Sequence, residues 1–150
     1  MEEEIEIITV WVDDLLLFTS TQDLMRSLKA QLQSMFKVTD LRDPKKIVGI
    51  EITRDHTNRT LFIGQQWYTE SILQAQELEG TNSVKTPADT KVQMFPHQEW
   101  EEMCHQTTYA SLIGSLMYAV VATRPDIAYA VNRLALFTAN PDLRHWTAAK

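Results

Sequence analysis

Val10-Trp11-Val12-Asp13-Asp14-Leu15-Leu16-Leu17-Phe18 places two adjacent carboxylates between two apolar runs. β-Branched and aromatic residues on either side of a short polar break predict a hairpin whose tip carries the acids. Successive side chains of a regular strand point to opposite faces, so both carboxylates reach one side most readily at or beside a turn. Such a tip offers the hard oxygen ligands that Mg²⁺ takes, usually one or two carboxylates completed by waters and substrate phosphates. An Asp-Asp pair also serves as plain turn chemistry, because Asp favours turns and tolerates unusual backbone angles. These residues by themselves leave both readings open.

Upstream, Glu4 and Glu6 alternate with Ile5 and Ile7 before the pattern turns continuously apolar, which predicts a strand over 5–10 that is buried on both faces. Leu15 to Phe18 is its expected return partner, in the middle of a sheet. Downstream, Ser20-Thr21-Gln22-Asp23 has capping-box spacing, with Ser20 as the expected cap and Asp23 reaching back. Leu24, Met25, Leu28, Leu32, Met35 and Phe36 then recur at helical spacing and form one apolar stripe for packing on a sheet.

The period changes again after the helix. Phe36 to Leu41 alternates as a half-buried strand, Arg42-Asp43-Pro44 breaks it, and Ile47 to Arg54 reads as a second strand with Gly49 inside, at a bulge or a close backbone approach. Residues 55–59 supply a turn and Thr60 to Gly64 a returning strand. Lys37, Lys45, Lys46, Arg54 and Arg59 make this the most basic part of the chain, suited either to phosphates or to a plain solvated face. A second helix opens at Gln65, runs to about Leu78 and ends at Gly80. Residues 81–104 lack periodicity and carry Thr86-Pro87 and Phe95-Pro96, so they read as a connector, with Trp100 and Met103 pinning its end. His97, Cys104 and His105 lie close in sequence at a spacing that matches no zinc pattern.

The last third reads as helical. Tyr109, Leu112, Ile113, Leu116, Met117, Val120 and Val121 share one wide face, while Ala110, Ser111, Gly114 and Ser115 are small enough to admit another backbone. Thr123-Arg124-Pro125-Asp126 is a second start signal with Thr123 as its cap, Asn140-Pro141 stops that helix, and a final helix begins at Pro141. Its end at Lys150 without a C-cap is expected of a truncated piece.

Composition bounds the function. The chain has 150 residues, 44% of them hydrophobic, which suits one domain with a core. A net charge of -6 and a pI near 5.1 argue against a protein that coats nucleic acid generally. The single cysteine, Cys104, rules out an internal disulfide framework and fits a reducing compartment. No apolar run approaches membrane-spanning length, and the acidic start is unlike a signal peptide, so the expectation is an intracellular protein, cytoplasmic or nuclear, without membrane contact.

In order, Trp11-Val12-Asp13-Asp14, Phe36 to Leu41, Val48 to Ile52, Gln65 to Leu73, Thr86-Pro87, Tyr109 with Gly114 to Tyr118, Thr123 to Ala128, and Asn140-Pro141 with His145-Trp146 and Lys150 resemble the succession in copia-type retrotransposon polyproteins. The resemblance runs from about Ile5 to Lys150 and is to the C-terminal part of the reverse transcriptase region of Pol. It implies an α+β fold: a partial palm of β-hairpins packed on helices over 1–80, the connector over 81–104, and a helical segment over 105–150 that leads toward an RNase H region. It further implies an RNA-directed DNA polymerase working by two-metal nucleotidyl transfer with Mg²⁺, on a primer-template of RNA or DNA and deoxynucleoside triphosphates.

By that resemblance Asp13 is a metal ligand and Asp14 the supporting carboxylate. Trp11, where the family more often has Tyr or Phe, and Val12 lie beside nucleotide or primer, and the hairpin with Gly49 and Arg54 faces the primer strand. The family's first palm aspartate and its fingers belong upstream of the hairpin, and no RNase H acidic set occurs in these residues. The chain is therefore expected to be inactive alone. The alternatives are a retained non-catalytic piece that binds nucleic acid or protein through an exposed sheet edge, or the product of a decayed element.

Overall fold

The computed structural model describes residues 4–82, 84–88, 94–98 and 100–150. Positions 83, 89–93 and 99 of the expected connector lie outside them. The structure is mixed α and β, and its backbone contacts divide it into two compact units, Met1–Phe62 and Ile63–Lys150.

The first unit opens with the expected hairpin. Strands β1 (Glu6–Trp11) and β2 (Asp14–Thr19) pair antiparallel in a register running from Glu6 opposite Thr19 to Trp11 opposite Asp14. Only Val12 and Asp13 are left for the turn. Its open end is tied by Ser20, whose Oγ accepts from Ile5 N–H (3.1 Å) while its own N–H donates to the Ile5 carbonyl (3.0 Å). Ser20 is thus committed to the hairpin and not to the helix.

Helix α1 (Gln22–Met35) is capped by Thr21, whose Oγ1 accepts from Leu24 N–H, and Asp23 pairs with Arg26 where a capping box was expected. Leu28 is buried and Leu24, Met25 and Leu32 are half-buried, as the apolar stripe predicts, although Met35 and Phe36 end up exposed.

Two strand expectations need correction. Residues 36–41 form no strand: Lys29 on α1 holds the Asp40 carboxylate at 2.9 Å, and Asp40 Oδ1 also accepts from Arg42 N–H. Local polar bonds of this kind compete with ladder formation. The stretch 47–54 is not one strand but two, β3 (Lys46–Ile47) and β4 (Ile50–Asp55), joined at Val48-Gly49. Both turn residues have positive φ, 47° and 76°, so Gly49 marks a reversal and neither a bulge nor a close approach. Strand β5 (Thr60–Gly64) completes a three-stranded sheet of order β3-β4-β5. The turn before it is built on Asp55, whose carboxylate accepts from the N–H groups of Thr57 and Asn58 and from Asn58 Nδ2. Those bonds hold the Asp55 carboxyl below the ordinary range.

The second unit contains the larger core. Helix α2 (Gln66–Ala75) is shorter than expected, and helix α3 (Gln106–Ala122) buries Tyr109, Leu112, Ile113 and Ala119. A 3₁₀ turn at Pro125–Ile127 leads into α4 (Ala128–Ala135), which contributes Ala130, Val131 and Leu134, and α5 (Leu143–Ala149) contributes His145. Tyr68 on α2 meets Tyr118 on α3 edge to face at 4.9 Å and donates from its hydroxyl to the Ser115 carbonyl.

Some assignments on the last helices also change. Val121 is 81% exposed, off the packed face. Among the described residues, none lies within 4 Å of where a Cβ at Gly114 would stand, so none of their backbone uses the small-residue stretch at that position. Thr123 closes α3 instead of opening the next helix, and its Oγ1 donates to Oε1 of the buried Gln65, 2.9 Å away. Trp100 is exposed, and the connector's end is pinned by backbone bonds, Cys104 N–H to the Pro141 carbonyl and Leu143 N–H to the Glu102 carbonyl. Among the described residues, no helix is long and apolar enough to cross a membrane.

Tyr109 sits at the centre of this core, fully buried, with its hydroxyl donating to the Leu134 carbonyl at 2.8 Å. Burial, reinforced by Cys104 and Asp142 nearby, pushes its pKa up to about 12. A raised phenol pKa means that the folded chain keeps a proton the unfolded chain loses near its ordinary value of about 10. The stability of this unit is therefore fully present below pH ~10 and falls as pH rises toward 12, by up to about 1.4 kcal/mol per pH unit. Urea titrations across that range should show the loss in the native chain and a much flatter profile in Tyr109→Phe. That variant keeps the ring, and the Leu134 carbonyl retains Phe137 N–H at 3.0 Å as a partner.

Candidate functional site

The β1–β2 register makes Val12-Asp13 a two-residue turn, with Asp14 as the first residue of the returning strand. Both carboxylates therefore belong to the tip, one in the turn and one at the strand start, and both are exposed. Val12 has φ 53°, left-handed backbone that a β-branched side chain adopts only under strain, and its side chain is 82% exposed. Because that side chain packs on nothing substantial, Val12→Gly removes the strain at the cost of glycine's extra unfolded freedom. We expect a net gain of roughly 1 kcal/mol, read as a higher urea midpoint for the first unit.

No ion pair among the described residues engages Asp13 or Asp14, so their oxygens are available to a cation. Paired, accessible carboxylates fit the hard-oxygen requirement of Mg²⁺ as part of a ligand set, with waters and phosphates as the usual remainder. Trp11, the last residue of β1, is 58% exposed beside them. Gly49 and Arg54 belong to the other sheet, at the β3–β4 turn and on β4. No hydrogen bond or ion pair among the described residues joins either of them to the tip. Lys37, Lys45, Lys46, Arg54 and Arg59 are all exposed.

The hairpin's burial departs from expectation. All of β1 is exposed, with Ile7 at 52% and Val10 at 62%, and β2 is only half-covered. The run is apolar on both faces, as an interior strand would be, yet among the described residues β1 and β2 pair only with each other.

A second polar cluster escaped sequence reasoning. His97 does not join Cys104 and His105; its ring lies instead with Glu101 and Asp142, their ligand atoms all within 4.8 Å of one another. Asp142 is the N-cap of α5. Its Oδ1 accepts from the N–H groups of Arg144 (2.9 Å) and His145 (3.2 Å), and its Oδ2 from Arg144 Nη2 (2.9 Å). Burial alone would raise its pKa, but the Arg144 guanidinium and the His145 N–H outweigh it and hold the carboxyl well below the usual range. His145 completes a capping box by accepting Asp142 N–H at Nδ1 (3.1 Å), which leaves Nε2 to carry the proton and donate to the Phe95 carbonyl (3.0 Å). With Nδ1 acting as acceptor, its proximity to the carboxylate is a capping contact between a neutral imidazole and Asp142. The only advance signal was Asp142 three residues before His145, a capping-box spacing with His in the place of Glu.

Comparison with known proteins places the chain. Residues 2–90 match the family described as "Reverse transcriptase (RNA-dependent DNA polymerase)". The chain is 34% identical to the Retrovirus-related Pol polyprotein from transposon TNT 1-94 of Nicotiana tabacum, over 99% of this chain and 12% of that protein. It is 32% identical to the Pol polyprotein from transposon RE2 of Arabidopsis thaliana, over 94% of this chain and 9% of the other. An uncharacterized mitochondrial protein of Arabidopsis thaliana is 33% identical over 82% of this chain and 49% of its own length. No solved structure matches. The chain thus spans about a tenth of the polyproteins and half of the mitochondrial protein. The copia-type resemblance of the V-D-D hairpin and the blocks that follow it is upheld, and the chain belongs to the reverse transcriptase family, with copia-type retrotransposon Pol polyproteins as its relatives.

Proposed function

We propose that this chain is the part of a retrotransposon reverse transcriptase that carries the second half of the polymerase's metal-binding site, and that it works only within the longer polyprotein. The observation that carries this reading is the tip of the β1–β2 hairpin, where the turn residue Asp13 and the strand-opening Asp14 stand side by side and exposed in a chain of that family. Asp13 is the metal ligand and Asp14 the supporting carboxylate. Bound there, Mg²⁺ would supply Lewis-acid activation of the primer hydroxyl and stabilisation of the leaving pyrophosphate. Trp11 and Val12 flank nucleotide or primer, and the Val48-Gly49 turn with Arg54 faces the primer strand, where exposed lysines and arginines offset phosphate charge.

In this reading residues 1–80 belong to the palm, 81–104 connect, and 105–150 lead toward RNase H. The partners are a primer-template of RNA or DNA, deoxynucleoside triphosphates, and the upstream palm and fingers of the same polyprotein. Two carboxylates at one tip are too few to ligate two metals, so the isolated chain is inactive. Primer extension with Mg²⁺ tests the reading: the full polyprotein extends a primer, the isolated chain does not, and activity that survives Asp13→Asn in the full protein overturns the role of Asp13.

The exposed, apolar β1 favours one second reading, a retained non-catalytic piece that binds nucleic acid or protein through the strand edge that no described residue pairs with. Failure of the isolated chain to bind primer-template at low ionic strength removes its nucleic-acid form.

A further inference from the structure

The second unit holds a cluster that the polymerase reading does not use. Nη2 of Arg144 bonds two carboxylates at once, Oδ2 of Asp142 at 2.9 Å and Oε2 of Glu101 at closer range. Beside them His97 Nδ1, shielded from solvent, has no hydrogen-bond partner among the described residues and stands 3.9 Å from Asp142 Oδ2. The turn in which Glu101 N–H donates to the Gln98 carbonyl (3.0 Å) folds Glu101 back alongside His97. Asp142 is held from the other side by its cap bonds through Oδ1, which leave Oδ2 turned to the cluster.

We infer that His97 Nδ1, Glu101 and Asp142 Oδ2 form a binding site for a first-row transition dication such as Zn²⁺, whose place Arg144 Nη2 occupies as a resident cation. One imidazole and two carboxylates match a three-ligand site with the fourth position left to water, and the imidazole selects Zn²⁺ over Mg²⁺. Ligand bonds of about 2.0–2.2 Å set tetrahedral ligand atoms about 3.3–3.6 Å apart, so atoms now within 4.8 Å of one another must close by up to about 1.5 Å. Two of them, His97 and Glu101, lie close together on one connector segment, so a single backbone adjustment moves both. Arg144 is no obstacle, because its side chain is 44% exposed and its long stem can swing into solvent. A shielded ring nitrogen without a partner is a cost that metal ligation would remove.

Calorimetric titration of the purified full chain with Zn²⁺ tests the inference. We expect one Zn²⁺ per chain, a higher melting temperature with Zn²⁺ and none with Mg²⁺, and at least tenfold tighter binding in Arg144→Gln, where the competing cation is gone. His97→Ala and Glu101→Gln, both of which leave the α5 cap intact by circular dichroism, should each weaken binding at least tenfold. Cys104→Ser and His105→Ala should leave it unchanged. Absence of binding to the native chain, no tightening in Arg144→Gln, or full binding retained in His97→Ala overturns the site.

Discussion

Asp13→Asn, introduced into a full polyprotein that carries this chain, is expected to abolish Mg²⁺-dependent primer extension, with a loss of roughly 10³-fold or more. The substitution changes one oxygen to an amide nitrogen at the tip of a two-residue turn, so it removes charge and a metal ligand without altering shape. Asp13 is exposed and enters no ion pair among the described residues. Fold stability should therefore stay within about 0.5 kcal/mol of the native chain. Catalytic loss at constant urea midpoint distinguishes a ligand from a turn former, for which the opposite pattern is expected. Asp14→Asn should cost less activity, since the strand-opening position supports the site from one residue further along. Equal losses in the two variants would show that the carboxylates share the ligand role. The Val12→Gly variant provides a contrast, with stability rising while both acids remain.

The hairpin that presents Asp13 was legible in the sequence because its information is local. Two apolar runs and a polar break determine a register, and the register determines which residues are left for the turn. Its burial was not legible. An all-apolar run states only that a strand can be covered on both faces, and among the described residues β1 has β2 as its sole paired neighbour. The Val48-Gly49 reversal was missed for a related reason: an apolar run with one glycine is the same string whether the glycine bulges a strand or turns it, and a valine with positive φ has no signature in sequence. Helix caps failed in pairs. Ser20 and Thr123 both have cap chemistry, but each is drawn off by a distant partner, Ile5 in one case and Gln65 in the other. Long-range bonds of that kind outrank local preference, and no pattern along the chain announces them. The cluster at His97 belongs to the same class, with Glu101 and Asp142 lying 41 positions apart in sequence.

Asp142→Ala is expected to destabilise the second unit by about 2–4 kcal/mol, the sum of a lost helix cap and a lost charge-assisted hydrogen bond at a buried carboxylate. Three losses combine. The N–H groups of Arg144 and His145 lose their acceptor, a helix-cap term of about 1 kcal/mol. Arg144 Nη2 keeps only Glu101. The side chain being deleted is 1% exposed, so its bonds to Oδ1 and Oδ2 cannot be restored readily by bulk water. The damage should reach the core, because His145 stacks on Phe137 at 4.1 Å and Trp146 packs against the cluster around Tyr109. Asp142→Asn keeps an acceptor for the cap and should cost about half as much, which isolates the part due to charge. The pH dependence gives an independent check. The folded pKa of Asp142 lies below its unfolded value of about 3.9, so its contribution is present above that pH and disappears as pH falls through the folded value. Native chain and Asp142→Asn should therefore converge in stability as acid is added below pH ~4, while staying separated at neutral pH. Curves that remain parallel would mean that the charge of Asp142 contributes nothing and that the cap alone holds α5 in place.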